Sequence, residues 1–96
     1  MAALSIPSTG TSTAVASSLT TVYTSSGKTR AAVQVNNPTG GDIDLNYNFN
    51  GGATMTVTIP SKDTFTVCDE VLPNGATIQL GGSTSLVYKG SAYEVA

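Results

Sequence analysis

The sequence predicts an all-β protein, a small antiparallel β-sandwich of about seven strands, and three observations carry that reading. Apolar and polar residues alternate with a period of two over several short runs. Every link between those runs holds Gly, Pro, Asn or Ser turn chemistry. No stretch of useful length shows a 3.6-residue apolar stripe, and the many Thr, Val and Gly residues oppose a helix. Two packed sheets follow, with Greek-key and jelly-roll connectivity both compatible.

Residues 1–18, MAALSIPSTGTSTAVASS, carry no charge and only scattered apolar side chains, so they read as an extended N-terminal arm before a single domain over 19–96. The first strands are expected at Leu19 to Thr24 and at Arg30 to Asn36, around Val33 and Val35, separated by the Ser25-Ser26-Gly27 turn. In Asp42 to Asn50, Ile43, Leu45, Tyr47 and Phe49 alternate without a break against Asp and Asn, the pattern of a strand covering a core on one face. Thr54 to Ile59 repeats it with Met55, Val57 and Ile59, and Asn50-Gly51-Gly52 supplies the positive-φ residues of a tight hairpin. Asp63 to Cys68, Thr77 to Leu80, and Leu86 to Val95, bent at Gly90, complete the set. The predicted core is Val22, Val33, Val35, Ile43, Leu45, Tyr47, Phe49, Met55, Val57, Ile59, Phe65, Val67, Ile78, Leu80 and Val87.

At 96 residues the chain holds one domain, and a fold of that size hides only about 60% of the surface its unfolded chain exposes. Charged residues make up 10% of the sequence, against roughly 25% in ordinary soluble domains. The 15 Thr and 11 Ser must therefore cover much of the surface. Net charge −2, with three Lys and one Arg, gives no counterion-releasing stripe for nucleic acid. No apolar run is long enough to span a membrane as a helix. Ala14-Val15-Ala16 looks like a signal-peptidase site but has neither basic nor apolar regions before it, so export by that route is not expected.

Catalysis finds little footing. There is no His, the commonest general base and transition-metal ligand, and the single Cys68 can neither close an intrachain disulfide nor build a thiolate zinc site. Cys68 falls in the alternation with Thr64 and Thr66, opposite Phe65 and Val67, and reads as a structural thiol. The acid pairs Asp42/Asp44 and Asp69/Glu70 read as solvent-facing charges that discourage strand addition, with neither a glycosidase constellation nor a calcium loop around them. Gly40-Gly41, Gly51-Gly52 and Gly81-Gly82 are hairpin turns, because a phosphate loop would need a following helix. No serine lies in a nucleophile-elbow sequence. No enzyme activity, cofactor or metal is expected.

Several phrases in fixed order carry a resemblance: Thr21-Val22-Tyr23-Thr24, Gly27-Lys28-Thr29, Val33-Gln34-Val35-Asn36-Asn37, Ile59-Pro60, and Val71-Leu72-Pro73-Asn74-Gly75-Ala76-Thr77-Ile78. Over about Thr20 to Val95 the chain resembles small β-sandwich virion proteins of tailed bacteriophages. It departs from their usual Pro-Ala-Gly turn at Ser25-Ser26-Gly27 and at Pro60-Ser61-Lys62-Asp63. The resemblance implies a capsid decoration (cement) protein on the outer surface of the assembled head, made in the host cytoplasm. Its implied partners are the major capsid protein and further copies of itself, trimers especially. A tail- or fibre-associated adhesive module binding host-surface glycans is the alternative.

Expected interface residues follow. A low-charge arm cannot fold alone but can order on a partner, with Leu4, Ile6 and Val15 as anchors. Lys28 and Arg30, with Lys62 and Lys89, are the cations available to meet acidic patches on a neighbour. Tyr88 and Tyr93 near the chain end are the expected glycan-stacking or interface aromatics.

Overall fold

The computed structural model describes residues 13–95, which form eight strands and no helix. These are β1 (Thr13–Ala14), β2 (Thr20–Thr24), β3 (Thr29–Asn36), β4 (Ile43–Phe49), β5 (Met55–Ile59), β6 (Thr64–Leu72), β7 (Thr77–Gly81) and β8 (Val87–Glu94). They make two antiparallel sheets, a first with the order β1-β8-β3-β6 and a second with the order β2-β7-β4-β5. The chain changes sheet at every link except the β4–β5 hairpin. Nearly all strand pairing is consequently between distant parts of the sequence.

The local chemistry sets the turns. Asn50 and Gly51 have φ of 57° and 65°, and Gly52 N–H donates to Phe49 O at 3.0 Å, which closes a tight turn at the start of the five-residue link from β4 to β5. Pro73-Asn74-Gly75 closes through Ala76 N–H to Pro73 O at 3.2 Å, with Gly75 at φ 84° where a side chain would be strained. Asn37 anchors the other end of the sandwich. Its Nδ2 donates to Gly41 O and Ile59 O, and its Oδ1 accepts from the backbone and hydroxyl of Thr39.

The core lies between the sheets and holds Val33, Val35, Leu45, Ile59, Ile78 and Leu80 as expected. Ile43, Tyr47, Phe49, Val57 and Phe65 pack against it half-buried. Three expectations are corrected. Met55 is 42% exposed, because burial fades along edge strand β5 from Ile59 outward. Val87 is half-buried and outside the core cluster, having opposite parity to Tyr88, which packs against it. Tyr23, Leu72 and Leu86, together with Ala31, Ala76 and Ala92, fill the space instead.

The arm boundary also moves. Thr13 and Ala14 pair with Tyr88 and Val87, Val15 is buried in the core, and Val15 N–H donates to Leu86 O at 2.9 Å. Residues 13–18 thus belong to the sandwich, where small side chains let the backbone come close: a Cβ on Gly81 would stand 2.6 Å from Leu19 N. A bulge corrects the phase of Cys68. Opposite Val33 and Gln34 the partners are Cys68 and Thr66, so Val67 is the extra residue and Cys68 turns inward.

Candidate functional site: the outer face of the first sheet

Alternation along β3 buries Thr29, Ala31, Val33 and Val35, which leaves Arg30, Ala32, Gln34 and Asn36 on the outer face. Register with β6 and β8 sets these residues in ranks across the sheet: Val71–Arg30–Tyr93, then Asp69–Ala32–Ser91, then Thr66–Gln34–Lys89. The Arg30 guanidinium reaches diagonally to the next rank, with Nη2 donating to Asp69 Oδ1 at 2.8 Å. Both groups are about half exposed, so the pair adds little stability. Its effect is to hold the guanidinium in one orientation, leaning towards β6 and away from the β8 side that carries Tyr93.

The second rank is short. Ala32 and Ser91 have small side chains and the neighbouring Gly90 has none, so with Gln34 and Lys89 they line an open hollow of about 200 Å³. In the neighbouring rank, Val71 and Tyr93 are 43% and 56% exposed. These are two of the three large hydrophobic residues exposed among the described residues, and both flank Arg30.

The sequence-derived interface residues fall apart on this geometry. Arg30 and Tyr93 are brought side by side, and Lys89 lines the hollow. Lys28 is exposed in the β2–β3 turn, where its carbonyl accepts from Val95 N–H. Val15 is in this chain's own core and cannot serve a neighbour from there. Leu4 and Ile6 lie outside the described residues. Tyr88 pairs with Val35 and packs against the core, so it is not on the face that carries Tyr93. An odd separation of five residues in an unbulged strand puts the two rings on opposite faces.

Ala32, Gln34, Ser91 and Val71 were not singled out by sequence. The available signal was period-two spacing, with a small residue between long ones in both Arg30-Ala32-Gln34 and Lys89-Ser91-Tyr93. Three of the four carboxylates considered for chemistry have structural partners: Asp44 Oδ1 accepts from Thr58 Oγ1 at 2.6 Å, Asp42 Oδ1 from Ser61 N–H at 3.4 Å, and Asp69 holds Arg30, while Glu70 is exposed on β6. Burial pushes the Cys68 thiol above its ordinary pKa of 9.0; a hydrogen bond with the Glu70 backbone opposes that, and the Glu70 and Asp69 charges add to it. Such a thiol is a poor nucleophile. It sits 3.6 Å from Ala31 O as a core group.

What this face offers is binding chemistry: an aromatic ring, an oriented guanidinium, a planar amide, an ammonium and a shallow hollow. When the chain is compared with protein-family models, curated proteins and solved structures, none matches.

Proposed function

We propose that this protein acts by docking, as a capsid decoration (cement) protein of a tailed bacteriophage, with the outer face of its first sheet seated on the major capsid protein. The observation that carries the docking reading is the Val71–Arg30–Tyr93 rank. Tyr and Arg are the residue types enriched where interfaces concentrate their energy, and the adjacent hollow accepts a protruding side chain from a partner. The virion assignment is supported by the ordered phrases from Thr21 to Ile78. Further copies, a trimer in the resembling proteins, and a place on the head surface after synthesis in the host cytoplasm belong to the same proposal.

Co-sedimentation with assembled capsid shells tests it. Arg30→Ala and Tyr93→Ala should each weaken binding about tenfold or more, while leaving thermal unfolding unchanged because both side chains are exposed. Density on the intact head should sit over capsid-subunit junctions. Wild-type binding by both variants, or density along the tail only, rejects the cement reading.

The hollow favours one second reading, a fibre- or tail-associated module for host glycans. Exposed Tyr93, two residues along β8 from Ser91, offers a stacking surface, and Gln34, Ser91 and Lys89 in the lining supply groups to hydrogen-bond sugar hydroxyls. Glycan-array signals lost in Tyr93→Ala and kept in Tyr88→Phe would support that class over cement.

A further inference from the structure

The outer face of the first sheet carries two strand cations, and they differ in what neutralises them. Arg30 has its own counter-ion, with Nη2 2.8 Å from Asp69 Oδ1. Lys89 has none. It faces Gln34 across the β3–β8 register, with Ala32 and Ser91 in the next rank, and no acid lines the hollow that these residues form with Gly90. Asp69 lies two strands and one rank from Lys89, roughly 12 Å by strand and residue spacings, and is engaged by Arg30. The side chains of Gln34, Lys89 and Ser91 make no hydrogen bond or ion pair to one another or to the rest of the described residues.

Water satisfies these three groups while the face is free. Docking strips that water away, and an ammonium that loses it without gaining a counter-charge opposes the contact. Arg30 brings its compensation along; Lys89 must find it on the partner.

We propose that the hollow is a carboxylate subsite, which takes an Asp or Glu side chain protruding from the docked protein. The subsite rests on the docking reading proposed above, and it names the chemistry the partner presents there. The donors suit that ligand. Lys89 and Gln34 are directly opposed, with Cβ atoms about 5 Å apart, and each ends in a nitrogen donor on a long side chain. Ser91 adds a hydroxyl from the next rank, where the methyl of Ala32 leaves the floor open. An ammonium on one carboxylate oxygen and an amide N–H on the other give a charge-assisted pair of contacts. The lysine also discriminates. A neutral amide of the same shape gains no ion pair, and a Lys or Arg from the wrong surface is repelled.

Co-sedimentation of the full chain with assembled capsid shells over a salt series tests the subsite. Lys89→Gln should weaken binding about tenfold and flatten its dependence on salt. Gln34→Glu keeps Lys89 but sets a carboxylate of this chain directly opposite it. That variant should bind shells less tightly while unfolding no more easily, a combination that a merely structural Lys89 would not produce. The exchange of Lys89→Gln with Gln34→Lys returns the ammonium to the same hollow from its other side, and should recover most of the lost affinity. Suppose the wild type binds shells and Arg30→Ala and Tyr93→Ala weaken it. If Lys89→Gln then binds as tightly as the wild type, or the exchange recovers nothing, the subsite is overturned and the docking reading stands. If the wild-type chain does not sediment with shells, the docking reading falls and the subsite falls with it.

Discussion

The phenol oxygen of Tyr23 lies 2.7 Å from Oγ1 of Thr29, both fully buried, and the bond ties β2 of the second sheet to β3 of the first. Thr29 Oγ1 is also 2.8 Å from Ser25 Oγ, which donates to Gly27 O at 2.7 Å. Each hydroxyl has one proton and the carbonyl can only accept, so the chain runs in one direction, from Tyr23 through Thr29 and Ser25 to Gly27. Thr29→Val removes the middle member and leaves a buried donor and a buried acceptor unpaired, which should cost about 1–3 kcal/mol. Tyr23→Phe, removing only the terminal donor, should cost about 1 kcal/mol. Urea unfolding should show a lower midpoint with an unchanged slope in both.

Asn37 is the corresponding fastener at the opposite end. It is fully buried, and its side chain makes four hydrogen bonds, joining Gly41, Ile59 and Thr39. Asn37→Ala leaves the Ile59 carbonyl and Thr39 N–H without this partner, while Thr39 Oγ1 still donates to Gly41 O at 3.0 Å, so a loss of about 1–3 kcal/mol is expected. Amide exchange should quicken first at Lys62 and at residue 37 itself, because Lys62 N–H donates to Asn37 O and Asn37 N–H donates to Asp63 O.

How much of this was legible in the sequence depends on parity. Ile43 to Phe49 alternates without interruption, and β4 appears where that pattern places it. The turns at Asn50-Gly51 and Asn74-Gly75 were equally readable, because few residues tolerate positive φ. The bulge at Val67 was not readable, because a bulge is set by the partner strand and not by the strand's own pattern; with it went the facing of Cys68. Val15 escaped for a related reason. One Val between Ala residues looks like part of an arm until Leu86, some seventy residues later, supplies a backbone partner. The hollow needed β3 and β8 side by side, since neither Ala32 nor Ser91 has binding character alone.

The raised thiol pKa of Cys68 gives a pH dependence with a fixed sign. Burial raises the folded value above 9.0, so the folded state holds the proton more tightly than the unfolded one. This contribution to stability is fully present below pH 9 and is lost as pH rises from there through the folded value. Between pH 8 and 10 the wild-type chain should lose more unfolding free energy than Cys68→Ala, with all other titrating groups common to both. A thiolate-specific reagent should label native Cys68 far more slowly than the urea-unfolded chain. Equal labelling rates, or parallel pH curves, would show the thiol to be solvent-accessible.

The N-terminal contribution to the core can be measured at two positions. Val15→Ala removes two methyl groups from a site 1% exposed, which should cost about 2 kcal/mol. Gly81→Ala acts from the other side. Its Cβ would meet Leu19 N and Ser18 C, both at 2.6 Å, and these are backbone atoms that cannot rotate away. The 18–19 segment must then lift from β7, straining the Gly82 N–H to Ala16 O bond of 3.1 Å. Overpacking of this kind costs about 1–3 kcal/mol. Because Val15 and Gly81 act on one backbone segment, the double variant should lose less than the sum of the single losses: once the segment has lifted, Val15 no longer has a packed site to vacate. Full additivity in a double-mutant cycle would mean that residues 13–19 do not dock as a unit.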